Sequence, residues 1–203
     1  MALTPSSADA PETSVARADL PCPCDAGTAT ATDAGFSCIG FRRTLGRFAT
    51  GVTVVTALTD DGRPIGLTIS SFNSVSLSPP LILWSLSLES PNFAAFRKAS
   101  HFAVNVLAAD QQALSDRFAS RSNDRFADLA VRPGLAGVPL IAGCCAWFEC
   151  SAEAHYPGGD HLIFVGRVER FSPGDNALPL LFHNGRYRRL ESVGDPAGDA
   201  AAY

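Results

Sequence analysis

The sequence predicts a mainly β protein, a closed antiparallel barrel interrupted by short helical excursions rather than a sandwich. Three observations predict it. Stretches with strand character outnumber those with helical periodicity, and they are short and rich in Val, Thr, Ile and Phe. Turn signals separate them at close intervals: "DDGRP" at 60–64, Pro79-Pro80, "PGGD" at 157–160 and Asn184-Gly185. The helical segments run only to about ten residues each.

The elements follow in order. In "FRRTLGRFAT", Phe41, Leu45 and Phe48 recur at i, i+4, i+7, the spacing of one helix face, with Arg42, Arg43 and Arg47 turned elsewhere. "GVTVVTALT" is β-branched and reads as a strand, and "IGLTISSF" returns after the turn. "SVSLSPPLILWSLSL" holds a strand pair broken at Pro79-Pro80, because proline donates no hydrogen bond to a ladder. Ser90 as N-cap and Pro91 at the first helical position start a helix through "FAAFRKA". "HFAVNVLA" is a strand, and Asp110 is placed to cap "QQALSDRFA". "AWFECSAEAHY" alternates with period two and pairs with "HLIFVGRVERF" across "PGGD". "HNGRYRRL" carries an Asn-Gly hairpin signal.

Composition bounds the function. With 203 residues, 46% hydrophobic and 18% charged, the chain has material for one domain with a full core. Residues 1–35 are dominated by Ala, Thr, Ser, Asp, Pro and Gly without apolar periodicity, so a disordered tail is expected there. The folded domain is expected over 36–190, and 191–203 reads as a second flexible tail. A net charge of −4 argues against nucleic acid or an anionic membrane as the main partner. No apolar run approaches the roughly 18 residues of a membrane span, and the first residues lack a basic start and an apolar core, so a cytoplasmic location is expected. The six cysteines then read as reduced thiols, Cys150 as a packed one. Cys22 and Cys24 have no second ligand pair and the histidines no ligand spacing, so no metal site is expected.

Three stretches could carry chemistry. "GLTISSF" offers Gly66 for close backbone approach and the hydroxyls of Thr68, Ser70 and Ser71, donors suited to a ligand with many acceptors. An ordinary strand with Thr68 and Ser70 on one face accounts for the same residues. "SLESPNFAAF" presents a helix start that suits a phosphate, or is a plain cap. "GGDHLIFVGRV" sets Asp160-His161 at the mouth of an apolar strand, either as a hairpin turn or as a binding element. G-x-G-x-x-G and G-x-S-x-G are both missing, which disfavours a dinucleotide fold of Rossmann type and acyl hydrolysis.

Taken together, "FRRTLGRFATGVTVVT", "GLTISSFNSVSLSPPLILWSL", "FAVNVLA" and "GGDHLIFVGRV", in this order and at this spacing, resemble the short-chain flavin reductases, the reductase components of two-component flavin-dependent monooxygenases. The resemblance implies a split antiparallel β-barrel, acting as a homodimer with flavin beside the subunit interface. It implies reduction of FMN or FAD by NADH or NADPH, with the reduced flavin passing to a separate monooxygenase. In matching positions, Gly66, Leu67, Thr68, Ile69, Ser70 and Ser71 would wrap the flavin, Ser85 and Leu86 would line it, and Ser90 and Asn92 would meet its phosphate end. Gly159, Asp160 and His161 would contact the nicotinamide coenzyme, with His161 the catalytic residue, and Phe126 and Tyr187 are aromatic contacts from the second chain. Pro91 stands where some members carry a basic residue, so phosphate charge would rest on helix N–H groups, Arg97, Lys98 or Arg125. Two rivals stay open: a flavin-binding module that stores or senses flavin without turnover, and an enzyme that keeps its flavin and reduces another acceptor. Hydride chemistry belongs to the cofactor, which agrees with the lack of any side-chain nucleophile pattern.

Overall fold

The computed structural model of the chain describes residues 37–121, 124–175 and 178–190. The predicted N-terminal tail, with Cys22 and Cys24, and the predicted C-terminal tail lie outside them. Contacts separate a leading unit ending at Cys38 from the unit Ile39–Tyr203 that holds both principal sheets. Helix α1 spans Cys38–Leu45, α2 Phe93–Lys98 and α3 Gln112–Ala119. The strands are β1 Thr50–Gly51, β2 Thr53–Leu58, β3 Pro64–Ile69, β4 Asn73–Leu77, β5 Pro80–Ser87, β6 His101–Val106, β7 Val131–Pro133, β8 Pro139–Ile141, β9 Ala146–Gly158, β10 His161–Pro173, β11 Leu181–His183 and β12 Arg186–Arg188. The fold is mainly β, and every pairing is antiparallel.

Seven strands form the main sheet in the order β3-β2-β6-β9-β10-β5-β4. Its two edges, β3 and β4, are consecutive in sequence and joined by residues 70–72 alone. Seven flat strands would hold those edges roughly 29 Å apart, whereas such a connection reaches about 13 Å. The sheet is therefore strongly curled. No ladder pairs β3 with β4 among the described residues, so the expected closed barrel is not formed by hydrogen bonds between strands.

The interior of the curl follows from strand alternation. On β5, Ile82, Trp84 and Leu86 are buried, and on β10 so are Leu162 and Phe164. Trp84 and Phe164 are cross-strand partners, and their rings stack at 4.3 Å. Phe96 of α2 and Phe102 of β6 meet Trp84 edge-on, at 5.3 and 5.7 Å. Four aromatic rings thus fix the centre of this core. A second cluster, with Val52, Val54, Leu107, Phe118 and Leu180, lies where α3 meets the small β1-β11-β12 sheet. The buried Asn105 side chain ties elements together: its amide donates to Val54 C=O and its oxygen accepts from Ile141 N–H. Cys144 and Cys150 are fully buried, and burial pushes both thiols up to about 12, as a packed Cys150 requires.

The turns follow the expected chemistry. β9 and β10 are joined at Gly159-Asp160, with Gly159 at φ +72°. Asn184 and Gly185, at φ +51° and +71°, join β11 to β12 in the left-handed pattern of a two-residue hairpin. Three local expectations differ. α1 ends at Leu45, so Phe48 falls beyond it, and Phe41, Leu45 and Phe48 are all exposed. Asn92, not Ser90, is the N-cap of α2; Ser90 instead starts a turn, accepting Asn92 N–H on its Oγ and Phe93 N–H on its C=O. Gln111, not Asp110, precedes α3, because its side chain spans from Ala108 N–H to Ala142 C=O.

His155, on β9, packs edge-on against Phe164, and its Nε2 is buried with no hydrogen-bond partner among the described residues. Burial, and secondarily the charge of Arg97, lowers its pKa. The unfolded chain, with histidine near 6.5, binds more protons than the folded chain just below that pH. Stability is expected to be full above about 6.5 and to decline as pH falls from there toward the folded value. His155→Leu should flatten this slope in urea denaturation between pH 7.5 and 5.5; an unchanged slope would assign the loss to other groups.

Candidate active site

Residues that alternate away from the core build the site. On β5 these are Leu83, Ser85 and Ser87, and on β10 His161, Ile163 and Val165, all half-buried. The register pairs His161 with Ser87, Ile163 with Ser85 and Val165 with Leu83. On the far side of β10, Ile163 faces Tyr156, which is 56% exposed. Cross-strand partners share a face, so this outer surface is an apolar patch of Leu83, Ile163, Val165 and Tyr156. Ser85, Ser87 and His161 stand among and beside its members.

The connection between the sheet edges reaches the same place. Ser71 Oγ accepts the Ser85 N–H at 3.0 Å and lies 3.2 Å from the Ser85 C=O, to which it donates. β4 pairs with β5 only as far as Asn73↔Leu83, so one hydroxyl replaces the missing ladder at Ser85. The structure therefore brings the end of "GLTISS" and the start of "HLIFV" together across β5, although about 90 residues separate them in sequence. Ser71→Ala would leave both Ser85 backbone groups without that partner. It is expected to cost about 1–3 kcal/mol, read from the urea midpoint; an unshifted midpoint would show that water replaces the hydroxyl freely.

Asp160 and His161 form a pair at the tip of the β9–β10 hairpin. Positive φ at Gly159 lets the chain turn there, and Leu88 N–H donates to Asp160 C=O at 3.0 Å. His161 Nδ1 is 2.7 Å from Asp160 Oδ1. That bond is the largest influence and, against the opposing effect of burial and with help from the charges of His161 and Arg42, it holds the Asp160 carboxyl below its usual range. With Nδ1 engaged, Nε2 is the nitrogen left for a ligand. The His161 side chain is 42% exposed, open to such a ligand.

The other sequence-predicted residues separate into groups. Leu86 and Ile69 point into the core, at 4% and 9% exposure, and do not line the outer face. Gly66 and Thr68 face α3 and the loop after it: Thr68 Oγ1 donates to Ser115 C=O at 2.7 Å. A Cβ built on Gly66 would lie 2.7 Å from the Phe118 ring and 3.3 Å from Phe126. Phe126 packs edge-on against Phe118 of its own chain, and Tyr187 shares its hydroxyl with Ser115 Oγ and Asp116 Oδ1 at 2.9 and 2.7 Å. Both aromatics, expected as contacts from a second chain, are thus engaged within this one. Arg125 donates to Gly66 C=O at 2.9 Å and to Ser120 C=O, fixing the loop against β3. Leu67, Ser70, Ser90 and Asn92 keep part of their surface exposed. Arg167 is bound bidentately by Glu153. Ser87, Ile163, Val165 and Tyr156 were missed, and the period-two alternation of their strands was the signal that could have found them. Among the described residues, no cluster of three or more His, Cys, Asp or Glu could hold a metal ion, and no helix is long and apolar enough to cross a membrane.

Residues 45–191 match the family model described as the flavin reductase like domain. The chain belongs to this family. Among curated flavin reductase-like relatives, it is 50% identical over 150 residues to the FMN reductase (NADH) SmoA of Agrobacterium fabrum, covering 74% of this chain and 84% of SmoA. It is 42% identical over 151 residues to the reductase subunit HsaB of a flavin-dependent monooxygenase from Rhodococcus jostii, covering 74% of this chain and 77% of HsaB. A solved flavin reductase-like structure, the NADH:FAD oxidoreductase SgcE6 of Streptomyces globisporus in complex with NAD and FAD fragments, superposes with a TM-score of 0.73 at 40% identity. That match covers 77% of this chain and 94% of SgcE6.

Proposed function

We propose that this chain is a flavin reductase, taking a hydride from NADH or NADPH to FMN or FAD and releasing reduced flavin to a flavin-dependent monooxygenase. The observation that carries this reading is the meeting of the Ser71–Ser85 connection and the Asp160-His161 pair on one exposed, apolar face. A flavin is flat, apolar across its rings and polar along one edge. Leu83, Ile163, Val165 and Tyr156 offer the apolar platform, and Ser70, Ser85 and Ser87 offer polar groups beside it. The flavin, when bound, supplies the electron-accepting ring system. The chain's own residues hold the two partners: Gly159 permits close approach at the turn, Asp160 orients His161, and His161 Nε2 meets the coenzyme. Ser90 and Asn92 follow β5 and sit toward the flavin phosphate end.

The curled sheet, with Ser71 of the β3–β4 connection bonded to Ser85 of β5, supports a split barrel, with 36–190 the catalytic domain and the flanking 1–35 and 191–203 segments as tails. A homodimer would cover the exposed apolar side chains Tyr156, Phe171 and Leu77. A cytoplasmic location supplies both the coenzyme and reduced thiols.

The test is coenzyme oxidation by purified protein, with NADH and NADPH separately, with and without free FMN or FAD. Oxidation that rises with added free flavin supports the reductase. None under any condition leaves a flavin-binding module, and oxidation needing only bound flavin and a second acceptor identifies an enzyme that retains its flavin. Sedimentation at assay concentration tests the dimer: a fully active monomer would refute it.

A further inference from the structure

The β1-β11-β12 sheet has two unlike faces. Its register pairs Thr50 with Phe182 and Phe182 with Tyr187, while Gly51 pairs with Leu181, Leu181 with Arg188 and His183 with Arg186. Partners share a face. Phe182 and Tyr187 turn inward onto the second core cluster, with ring centroids 5.6 Å apart. The opposite face is open among the described residues. A Cβ built on Gly51 meets no atom within 4 Å, and a cleft of about 370 Å³ opens on this part of the molecule, lined by Ala49, Leu181, His183, Arg188 and Arg189.

The charge here is one-sided. Among the described residues three cations elsewhere have a carboxylate partner: Arg63 pairs with Asp61, Lys98 with Asp60 and Arg167 with Glu153. Among the described residues no carboxylate pairs with Arg186, Arg188 or Arg189, in a chain whose net charge is −4. Asn184 N–H donates to Gly46 C=O at 2.8 Å, which joins the hairpin tip to the arginine-rich stretch around α1. Two neighbouring guanidinium groups match the geometry of phosphate oxygens, and their planes stack on flat rings. Ala49, Gly51 and Leu181 make a low apolar floor that leaves room for such a ring. We propose that this open face is a binding site for a nucleotide, its phosphates on Arg188 and Arg189 and its base on the Ala49–Gly51–Leu181 floor.

None of these lining residues belongs to the flavin and coenzyme face proposed above, so the site stands or falls separately. The ligand chemistry is shared by a free nucleotide and by the adenosine-phosphate end of a dinucleotide. The experiment is calorimetric titration of the full chain with ADP and, separately, with inorganic phosphate. ADP should bind about tenfold or more tightly than phosphate, because the floor contributes only to the nucleotide. The double variant Arg188→Gln, Arg189→Gln should weaken ADP binding about tenfold or more. Gly51→Val should do the same by filling the floor, with an unchanged melting curve because its Cβ meets no neighbour. Equal affinity for ADP and phosphate would overturn the nucleotide assignment. Wild-type ADP affinity in the arginine double variant, or in a folded Gly51→Val protein, would overturn the site.

Steady-state kinetics then distinguishes the two sources. Competition between ADP and the coenzyme or FAD, lost in the arginine double variant, identifies a dinucleotide end. ADP binding without competition identifies a free nucleotide, and both results sustain the site. ADP binding by a protein that shows no coenzyme oxidation would retire the reductase reading and leave this one intact.

Discussion

His161→Ala is expected to lower kcat/KM for the nicotinamide coenzyme by roughly ten- to a hundredfold while leaving flavin affinity within about twofold. A hydrogen bond to a charged partner contributes about 1.5–3 kcal/mol, which converts to that range. The selectivity follows from position. His161 stands at the hairpin tip with Nδ1 committed to Asp160 at 2.7 Å, while the proposed flavin platform lies further along β5 and β10. The ladder runs through backbone groups, and His161 remains paired with Ser87 whatever its side chain, so the strand should survive the change. Asp160→Asn provides the control. It removes the carboxylate but preserves side-chain volume, so a positioning role predicts a smaller loss in kcat/KM with binding of flavin again unaffected. Steady-state kinetics at saturating flavin, with the coenzyme varied, decides the matter. Wild-type kcat/KM in His161→Ala would reduce the hairpin tip to a turn.

Much of this architecture was legible because its signals are local. The Asn184-Gly185 turn, the β9–β10 hairpin and the break at Pro79-Pro80 each depend on a few adjacent residues with special backbone preferences. Strand alternation was legible too, and it already implied that Leu86, flanked by Ser85 and Ser87, would point to the opposite face. Treating Ser85 and Leu86 as one lining pair ignored that period. What the sequence does not carry is the competition for side-chain hydrogen bonds. Thr68 and Ser71 look like free hydroxyls in "GLTISSF", yet Thr68 is taken by Ser115 C=O and Ser71 by the Ser85 backbone. Both partners are remote in sequence and become neighbours only when the sheet curls. Capping fails for a similar reason: Gln111 gains bonds to Ala108 and Ala142 that no propensity for Asp at a helix start includes. Phe126 and Tyr187, expected as flavin contacts from a second chain, pack against α3 and the small sheet of their own chain.

Gly66→Val is expected to lower stability by about 1–3 kcal/mol, the usual cost of forcing extra carbon into a packed site, and the melting temperature by roughly 2–10 °C. The glycine's own φ is not the reason; the space is. A Cβ at this position would lie 2.7 and 2.9 Å from two atoms of the Phe118 ring, closer than carbon atoms tolerate. Phe118 is 1% exposed and cannot swing into solvent. Its other side is held by Phe126 at 5.0 Å, whose loop Arg125 pins back to Gly66 C=O. The displaced ring therefore pushes against a loop fastened to the same strand. A second substitution makes the claim specific. Phe118→Leu alone removes ring volume and should destabilise through the cavity it leaves, but it also clears the space that a Gly66 side chain needs. The Gly66→Val, Phe118→Leu double variant should then be more stable than the sum of its parts predicts, by about 1 kcal/mol or more for residues in direct contact. Urea denaturation of the four proteins closes the cycle. Strict additivity would mean that the strand, and not the Phe118 ring, gives way to the added side chain.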